Sequence, residues 1–258
     1  MNCRAGLVLT SVMSPPIGLL QPPTRTVMNA GVQVVIPARG GSTRIPGKNL
    51  LLFNGAPMIQ WPIRAALEAA GVDAVMVSTD SEEIARVGSD CGADVPFIRP
   101  SDLANDTAGT APVILHALAE QKVSDEQLVM CLYPTAPITS SMIDQAISLA
   151  RKHPDDMVIS VGRHRSPLER SLVVAEGGKM ALENLSELFS RTQDLPQRFF
   201  DAGKFYVATA KIWRERETMM VKPFIPMILP DWASVDMDEP DDWAVAEALH
   251  RAFVLNAS

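Results

Sequence analysis

Val34-Val35-Ile36-Pro37-Ala38-Arg39-Gly40-Gly41-Ser42-Thr43-Arg44-Ile45-Pro46-Gly47-Lys48-Asn49-Leu50 joins an apolar, β-branched run to a loop of glycines and cations. A buried strand feeding a flexible basic loop presents backbone N–H groups and positive charge to a phosphate chain. Arg39, Arg44 and Lys48 beside Gly40-Gly41-Ser42 exceed what a solvated turn requires. The stretch therefore reads as a phosphate loop. It is not a P-loop: Ser42 stands where G-x-x-x-x-G-K-[ST] needs its first glycine, and Asn49 where it needs Ser or Thr. It is not the dinucleotide fingerprint either, because Gly40 and Gly41 are adjacent and no third glycine follows at the right offset.

Outward from this loop the chain alternates strand and helix patterns. Val32–Pro37 is an apolar run suited to a central parallel strand. Residues 57–70 predict a helix that Gly71 ends, with Pro62 in its tolerant first turn. Ala74–Ser78 predicts the second strand. Asp80-Ser81-Glu82-Glu83 has the form of a capping box, giving a helix to Cys91 with Asp80 as its cap. Val95–Ile98 predicts a short third strand, Thr110–Lys122 a helix, Leu128–Leu132 a strand, Ser140–His153 an amphipathic helix and Met157–Gly162 a strand. This order implies a doubly wound, mostly parallel α/β sheet, whose ligands bind at the carboxyl ends of its strands. After Arg163 the rhythm breaks into a small hairpin (172–175 with 179–182) and an irregular stretch to Arg198. Strands at 204–208 and 224–229 and a helix at 241–253 complete the chain.

Composition narrows the class. With 258 residues and 47% apolar content the chain suits one large globular domain or a domain with an appended arm. A net charge of −7 argues against nucleic acid and anionic membrane partners, so the basic loop reads as a site for a small anion. Cys3, Cys91 and Cys131 match no metal or redox spacing and predict reduced thiols in a cytoplasmic protein. No apolar run is long enough to span a membrane. Residues 1–27 are Pro-rich and aperiodic ahead of Met28, and read as a disordered tail or an upstream start taken for the true one.

Asp236-Met237-Asp238 carries a second signal. On a strand end, side chains alternate, so both carboxylates would point to one side. Hard oxygen ligands suit Mg²⁺, which takes one or two carboxylates together with substrate phosphates. Beside Glu239, Asp241 and Asp242 the pair is equally readable as a solvated acidic turn. No histidine is placed to act as a general base.

The phosphate loop resembles that of the nucleotidyltransferases that activate acidic eight- and nine-carbon sugars with CTP. In that family a strand runs into A-R-x-G-S-x-x-[IL]-x-x-K-N-[LI], and Ala38 to Leu50 matches each fixed position. The resemblance runs from Val32 to the C-terminal helix. It implies that Arg39 and Lys48 contact the triphosphate, with Ala38, Gly41, Ser42, Asn49, Ser78, Arg99 and Thr107 around the nucleotide. It also implies a metal pair at Asp236 and Asp238, and a homodimer built through an inserted arm at 163–200. Leu132-Tyr133-Pro134-Thr135-Ala136-Pro137, Arg191-Thr192-Gln193-Asp194-Leu195-Pro196 and Asp201-Ala202-Gly203-Lys204-Phe205-Tyr206 follow the branch that handles pseudaminic acid. The sialic acid branch usually has Gln at 133 and P-N-G at 201–203. Tyr133, Arg191, Gln193 and Asp201 are accordingly expected at the sugar, with Arg191, Gln193 or Arg198 open as its carboxylate ligand. The expected activity is transfer of CMP to pseudaminic acid, with sialic or legionaminic acid as alternatives. A non-catalytic nucleotide-binding regulator on the same fold is the competing class.

Overall fold

The computed structural model describes residues 31–42, 44–105, 108–183, 189–220 and 224–256. The expectations for residues 1–27 and for Thr107 fall outside these. Strands β1 (Val32–Pro37), β2 (Leu52–Phe53), β3 (Ala56–Pro57), β4 (Val72–Ser78), β5 (Leu128–Leu132) and β6 (Met157–Arg163) lie in the first two thirds of the chain. They are followed by β7 (Leu172–Val174), β8 (Met180–Leu182), β9 (Phe199–Thr209) and β10 (Phe224–Ile228). The helices are α1 (Gln60–Glu68), α2 (Glu82–Asp90), α3 (Thr110–Glu120), α4 (Ser140–Lys152), α5 (Ala210–Arg216) and α6 (Pro240–His250).

Six strands form one sheet in the order β10-β6-β9-β5-β1-β4. β1 pairs in parallel with both β4 and β5, and β10 with β6, whereas β9 runs antiparallel between β5 and β6. Both faces are covered, as alternation requires. Val34 and Ile36 of β1 pack with Ile63 of α1, Ile84 of α2 and Ile147 of α4. Val35 packs on the other face with Ile114 of α3 and Trp213 of α5. A third, smaller core joins Phe53 and Met58 to Met237 and Ala246, so α6 rests on the β2–β3 hairpin.

Three local expectations are corrected. Residues 57–59 are not helical, because Asn54 and Gly55, both at positive φ, close a two-residue hairpin that takes Pro57 into β3. Val95–Ile98 makes no ladder strand. It contributes a single bridge, Thr79 to Ile98, with another, Met76 to Asp94, just before it, since Pro96 has no N–H to donate. The Asp236–Asp238 stretch is irregular backbone, not a strand end.

Candidate active site

The carboxyl ends of β1, β4 and β5 converge beneath the phosphate loop. Ala38, fully buried, extends the β1–β4 pairing by donating its N–H to Ser78 O at 2.9 Å. The loop beyond is pinned at both ends. Gly40 N donates to Asp80 Oδ1 (2.9 Å), and the buried Asn49 gives its Nδ2 to Arg39 O (3.0 Å). Gly47, at a φ of +65°, makes the turn that returns the chain, and its carbonyl accepts from Leu50 N and Leu51 N. Asp80 is thus an anchor of the loop and not the cap of α2. The adjacent Ser81 caps that helix by accepting from Ile84 N.

Arg39, Ser42, Lys48, Asn49, Arg99 and Tyr133 line one cavity of about 240 Å³. Arg99 is buried. Its Nη1 reaches Leu103 O (3.3 Å), Nη2 lies 3.8 Å from Asp80, and neither Nε nor Nη2 has a hydrogen-bond partner among the described residues. Burial lowers its pKa, opposed by Asp80 and assisted by the nearby charge of Arg39. Two guanidiniums facing one concavity, one with open donors, is an arrangement that an anion or a base edge completes. Tyr133 Oη meets Thr110 Oγ1 at 2.6 Å, and burial raises the phenol's pKa, so it acts as a neutral hydroxyl.

Behind the loop lies the acidic turn. Lys48 Nζ donates to Met237 O (3.0 Å) and stands 3.7 Å from Asp238 Oδ1, while Arg44 pairs with Asp238 Oδ2. Burial is the leading cause of a lowered Lys48 pKa, with Asp238 opposing it. Met237 is buried in the α6 core between two aspartates that are not. Both aspartates act electrostatically on Lys48 and on Lys204. Among the described residues no cluster of three or more His, Cys, Asp or Glu is present that would hold a metal by itself.

The other expected residues divide. Gly41 lies exposed on the loop, and Ser78, fully buried, has a hydroxyl without a hydrogen-bond partner among the described residues. Asp201 accepts from Tyr206 Oη and from Gly203 N, and the Tyr206 ring lies 6.1 Å from that of Tyr133, linking Asp201 to the cavity wall. Arg191 and Gln193 sit exposed on the arm and do not line the cavity; Arg191 pairs with Asp194 (2.8 Å) and Arg198 with Glu169 (3.0 Å). Sequence reasoning missed Thr110, although a hydroxyl opening a helix at the sheet's rim is a visible signal. It also missed Lys204, a cation in mid-strand that is fully buried, donates to Val235 O at 2.7 Å, and has its pKa pushed down by burial to about 8.

Comparison with known proteins agrees with this geometry. Residues 33–235 match the family described as Cytidylyltransferase. The chain is 32% identical over 222 residues to the pseudaminic acid cytidylyltransferase of Campylobacter jejuni subsp. jejuni serotype O:2, covering 84% of this chain and 95% of that protein. It is 34% identical over 223 residues to the CMP-N,N'-diacetyllegionaminic acid synthase of Legionella pneumophila, with the same 84% and 95% coverage. Among solved structures, a CMP:2-keto-3-deoxy-manno-octonic acid synthetase in complex with CTP superposes with a TM-score of 0.63 at 19% identity. The match covers 86% of this chain and 99% of that one, so the fold is shared. With the family matched over most of its length and its phosphate loop, cavity and acidic turn in place, the chain belongs to the cytidylyltransferase family.

Proposed function

We propose that the protein activates pseudaminic acid with CTP, giving CMP-pseudaminic acid and pyrophosphate. The sugar's anomeric oxygen bonds to the α-phosphorus, the α–β phosphoanhydride breaks, and the hydroxyl proton passes to solvent. Such a transfer is governed by positioning and charge neutralisation. The observation that carries the proposal is the convergence of Arg39, Lys48 and Arg99 on one cavity at the strand ends of an acidic chain. Arg39 and Lys48 take the triphosphate, with Gly41 and Ser42 adding donors. Arg99, with its open Nε and Nη2, faces the pyrimidine, whose O2 and N3 are acceptors. Asn49 lines the cavity, Ala38 and Ser78 hold the ends of β1 and β4 together beneath it, and Thr107 is assigned to the nucleotide by family pattern alone. Tyr133 and Asp201 are assigned to the sugar, and Arg191, Gln193 and Arg198, which lie on the arm outside the cavity, are assigned to its carboxylate by family pattern alone.

Asp236 and Asp238 are proposed to hold Mg²⁺. The donor set fits: two carboxylates flank a buried methionine near Lys48, and phosphate oxygens and water complete the shell of an ion that rarely takes a full protein cage. When bound, Mg²⁺ neutralises phosphate charge and assists the leaving pyrophosphate. The protein is further proposed to be a cytoplasmic homodimer. Free Cys91 and buried, free Cys131 support a reducing compartment, and the apolar arm supports a dimer.

A second reading is favoured by the Legionella relative: the same chemistry on a legionaminic acid. Pyrophosphate release with CTP and Mg²⁺, measured side by side for pseudaminic, legionaminic and N-acetylneuraminic acids, separates them. Release with pseudaminic acid alone is expected. Release with another sugar reassigns the pocket, and release with none, despite CTP binding, moves the protein to a regulatory role.

A further inference from the structure

Lys204 belongs to none of the roles above, yet the fold goes to some length to place it. Where β6 and β9 pair, the register shifts between Ile159 and Val161. Gly203 takes a φ of +57°, and Ala202 packs in the same cluster as Phe205 and Val207, so the alternation of side chains changes across residues 202–205. The N–H groups of Lys204 and Phe205, which the ladder would otherwise leave open, both donate to the fully buried Ser160 Oγ, at 3.0 and 3.1 Å. The Lys204 carbonyl accepts from Tyr133 N at 2.9 Å, tying the same residue to the cavity wall. Its ammonium is then carried inward to one acceptor among the described residues, Val235 O, at 2.7 Å. A buried cation costs free energy unless something compensates it, and here the compensation is one carbonyl plus the neighbouring Asp236, Asp238 and Asp201.

Two lysines therefore grip the acidic turn at alternate carbonyls. Lys204 holds residue 235 from the sheet, and Lys48 holds residue 237 from the phosphate loop. The two grips are not equivalent. Lys48 lines the cavity, so a triphosphate competes with Met237 O for its ammonium, whereas Lys204 does not line it. Taking the cytidyl transfer proposed above as the reaction, we propose that Lys204 is a positioning residue. It pins residues 235–238 to β9, so that Asp236 and Asp238 stay in register with the phosphate loop when Lys48 turns to substrate. It touches no reacting atom. Its effect is exerted through the turn.

Lys204→Met keeps the length and apolar stem and removes the charge. Exchanging a buried charge for a well-packed apolar group is often neutral or stabilising, so a lysine that merely filled space would leave kcat unchanged in this variant. The tether instead predicts a kcat lowered at least about thirtyfold, a KM for CTP within about threefold of wild type, and a Tm unchanged or raised. Amide hydrogen exchange supplies a readout independent of turnover. Met237 N donates to Asp236 Oδ1 in the turn, and Asp238 N and Glu239 N donate to Asp242 Oδ2 in the first turn of α6; all three should exchange at least about tenfold faster in the variant, with the sheet unaffected. Unchanged exchange in the turn, or a kcat within threefold of wild type, overturns the proposal. Lys204→Gln is measured alongside. If both variants fail to fold, Lys204 is a residue the fold requires and the proposal is likewise overturned. Should wild-type protein release no pyrophosphate with any sugar, the exchange measurement and CTP binding still decide the tether, so the two failures are distinguishable.

Discussion

Lys48, which lines the cavity, stands 3.7 Å from Asp238 in the acidic turn behind it, and that carboxylate opposes the lowering of the Lys48 pKa by burial. Lys48→Ala removes the ammonium best placed for the phosphates. Asp238→Ala removes a carboxylate that is now shared by Arg44 and Lys48. Each substitution is expected to cut kcat/KM for CTP by about 10²–10³, the usual loss when one preorganised charge is withdrawn from a transfer site. Near-ultraviolet circular dichroism should be unchanged, and a rate close to wild type in either variant removes that residue from the mechanism. Lys48 is legible in the sequence because the loop's fixed positions are local, with Arg39, Lys48 and Asn49 lying within eleven residues of one another, whereas Asp238 meets Lys48 only through the fold. Asp80 is misread for the opposite reason. A capping-box spacing is a local signal, but its carboxylate is captured by Gly40 N, forty residues away. Lys204 escapes notice because its significance depends on Val235, which the chain reaches only after β10.

At the scale of the element, α6 carries a titrating group into its core. His250 is almost fully buried, with its ring 4.6 Å from Trp61 and 5.2 Å from Phe53 and its Nδ1 3.1 Å from Asn54 Nδ2. Burial pushes its pKa down to about 4. The unfolded chain, with an ordinary imidazole near 6.5, binds more protons through that window. Stability is therefore full above about pH 6.5 and falls as the pH drops toward 4, by about 2 kcal/mol at pH 5. His250→Phe, which keeps the aromatic packing, should flatten this slope. Urea midpoints at pH 7 and pH 5 for the two proteins test it, and parallel slopes would place the sensitivity elsewhere. Long periodic elements such as α4 are readable to within a residue, since one stripe of Ile143, Ala146, Ile147 and Ala150 dictates them. The start of α1 is not, because the Asn54-Gly55 turn outweighs the helical pattern that begins behind it.

On the scale of the whole molecule, the arm between β6 and β9 departs from the rule that apolar side chains are covered. Leu172, Val174, Met180 and Phe189 are all exposed, Phe189 almost completely. A two-stranded hairpin such as β7–β8 is marginal by itself. Covering by a second copy is the expected resolution, so sedimentation equilibrium should return twice the mass of the chain. Val174→Glu combined with Met180→Glu should shift the protein to monomer, and a wild-type monomer at micromolar concentration would refute the dimer. Sequence patterning marks where this segment begins, because the α/β alternation stops at Arg163. It says little about the arm's shape, since few of the arm's own residues are buried to dictate one.

The position of β9 has a consequence for how the chain is made. β5 and β6 are finished by residue 163, yet neither can close on the other, because the strand that belongs between them ends only at Thr209. In a chain made as far as residue 163, β4, β1 and β5 have all their mutual pairings available, whereas the β9-facing edges of β5 and β6 have no partner. Until the later strand slides between them the nascent chain carries two hydrogen-bonding edges able to pair with a neighbour. Closing so distant a pairing is slow compared with forming the helices. The wall of the cavity, where Tyr133 N meets Lys204 O, is therefore among the last parts of the protein to exist. A chain that stops before Phe199 lacks both the strand that covers β5 and β6 and the Met237 and Asp238 that hold Lys48, and is expected to aggregate.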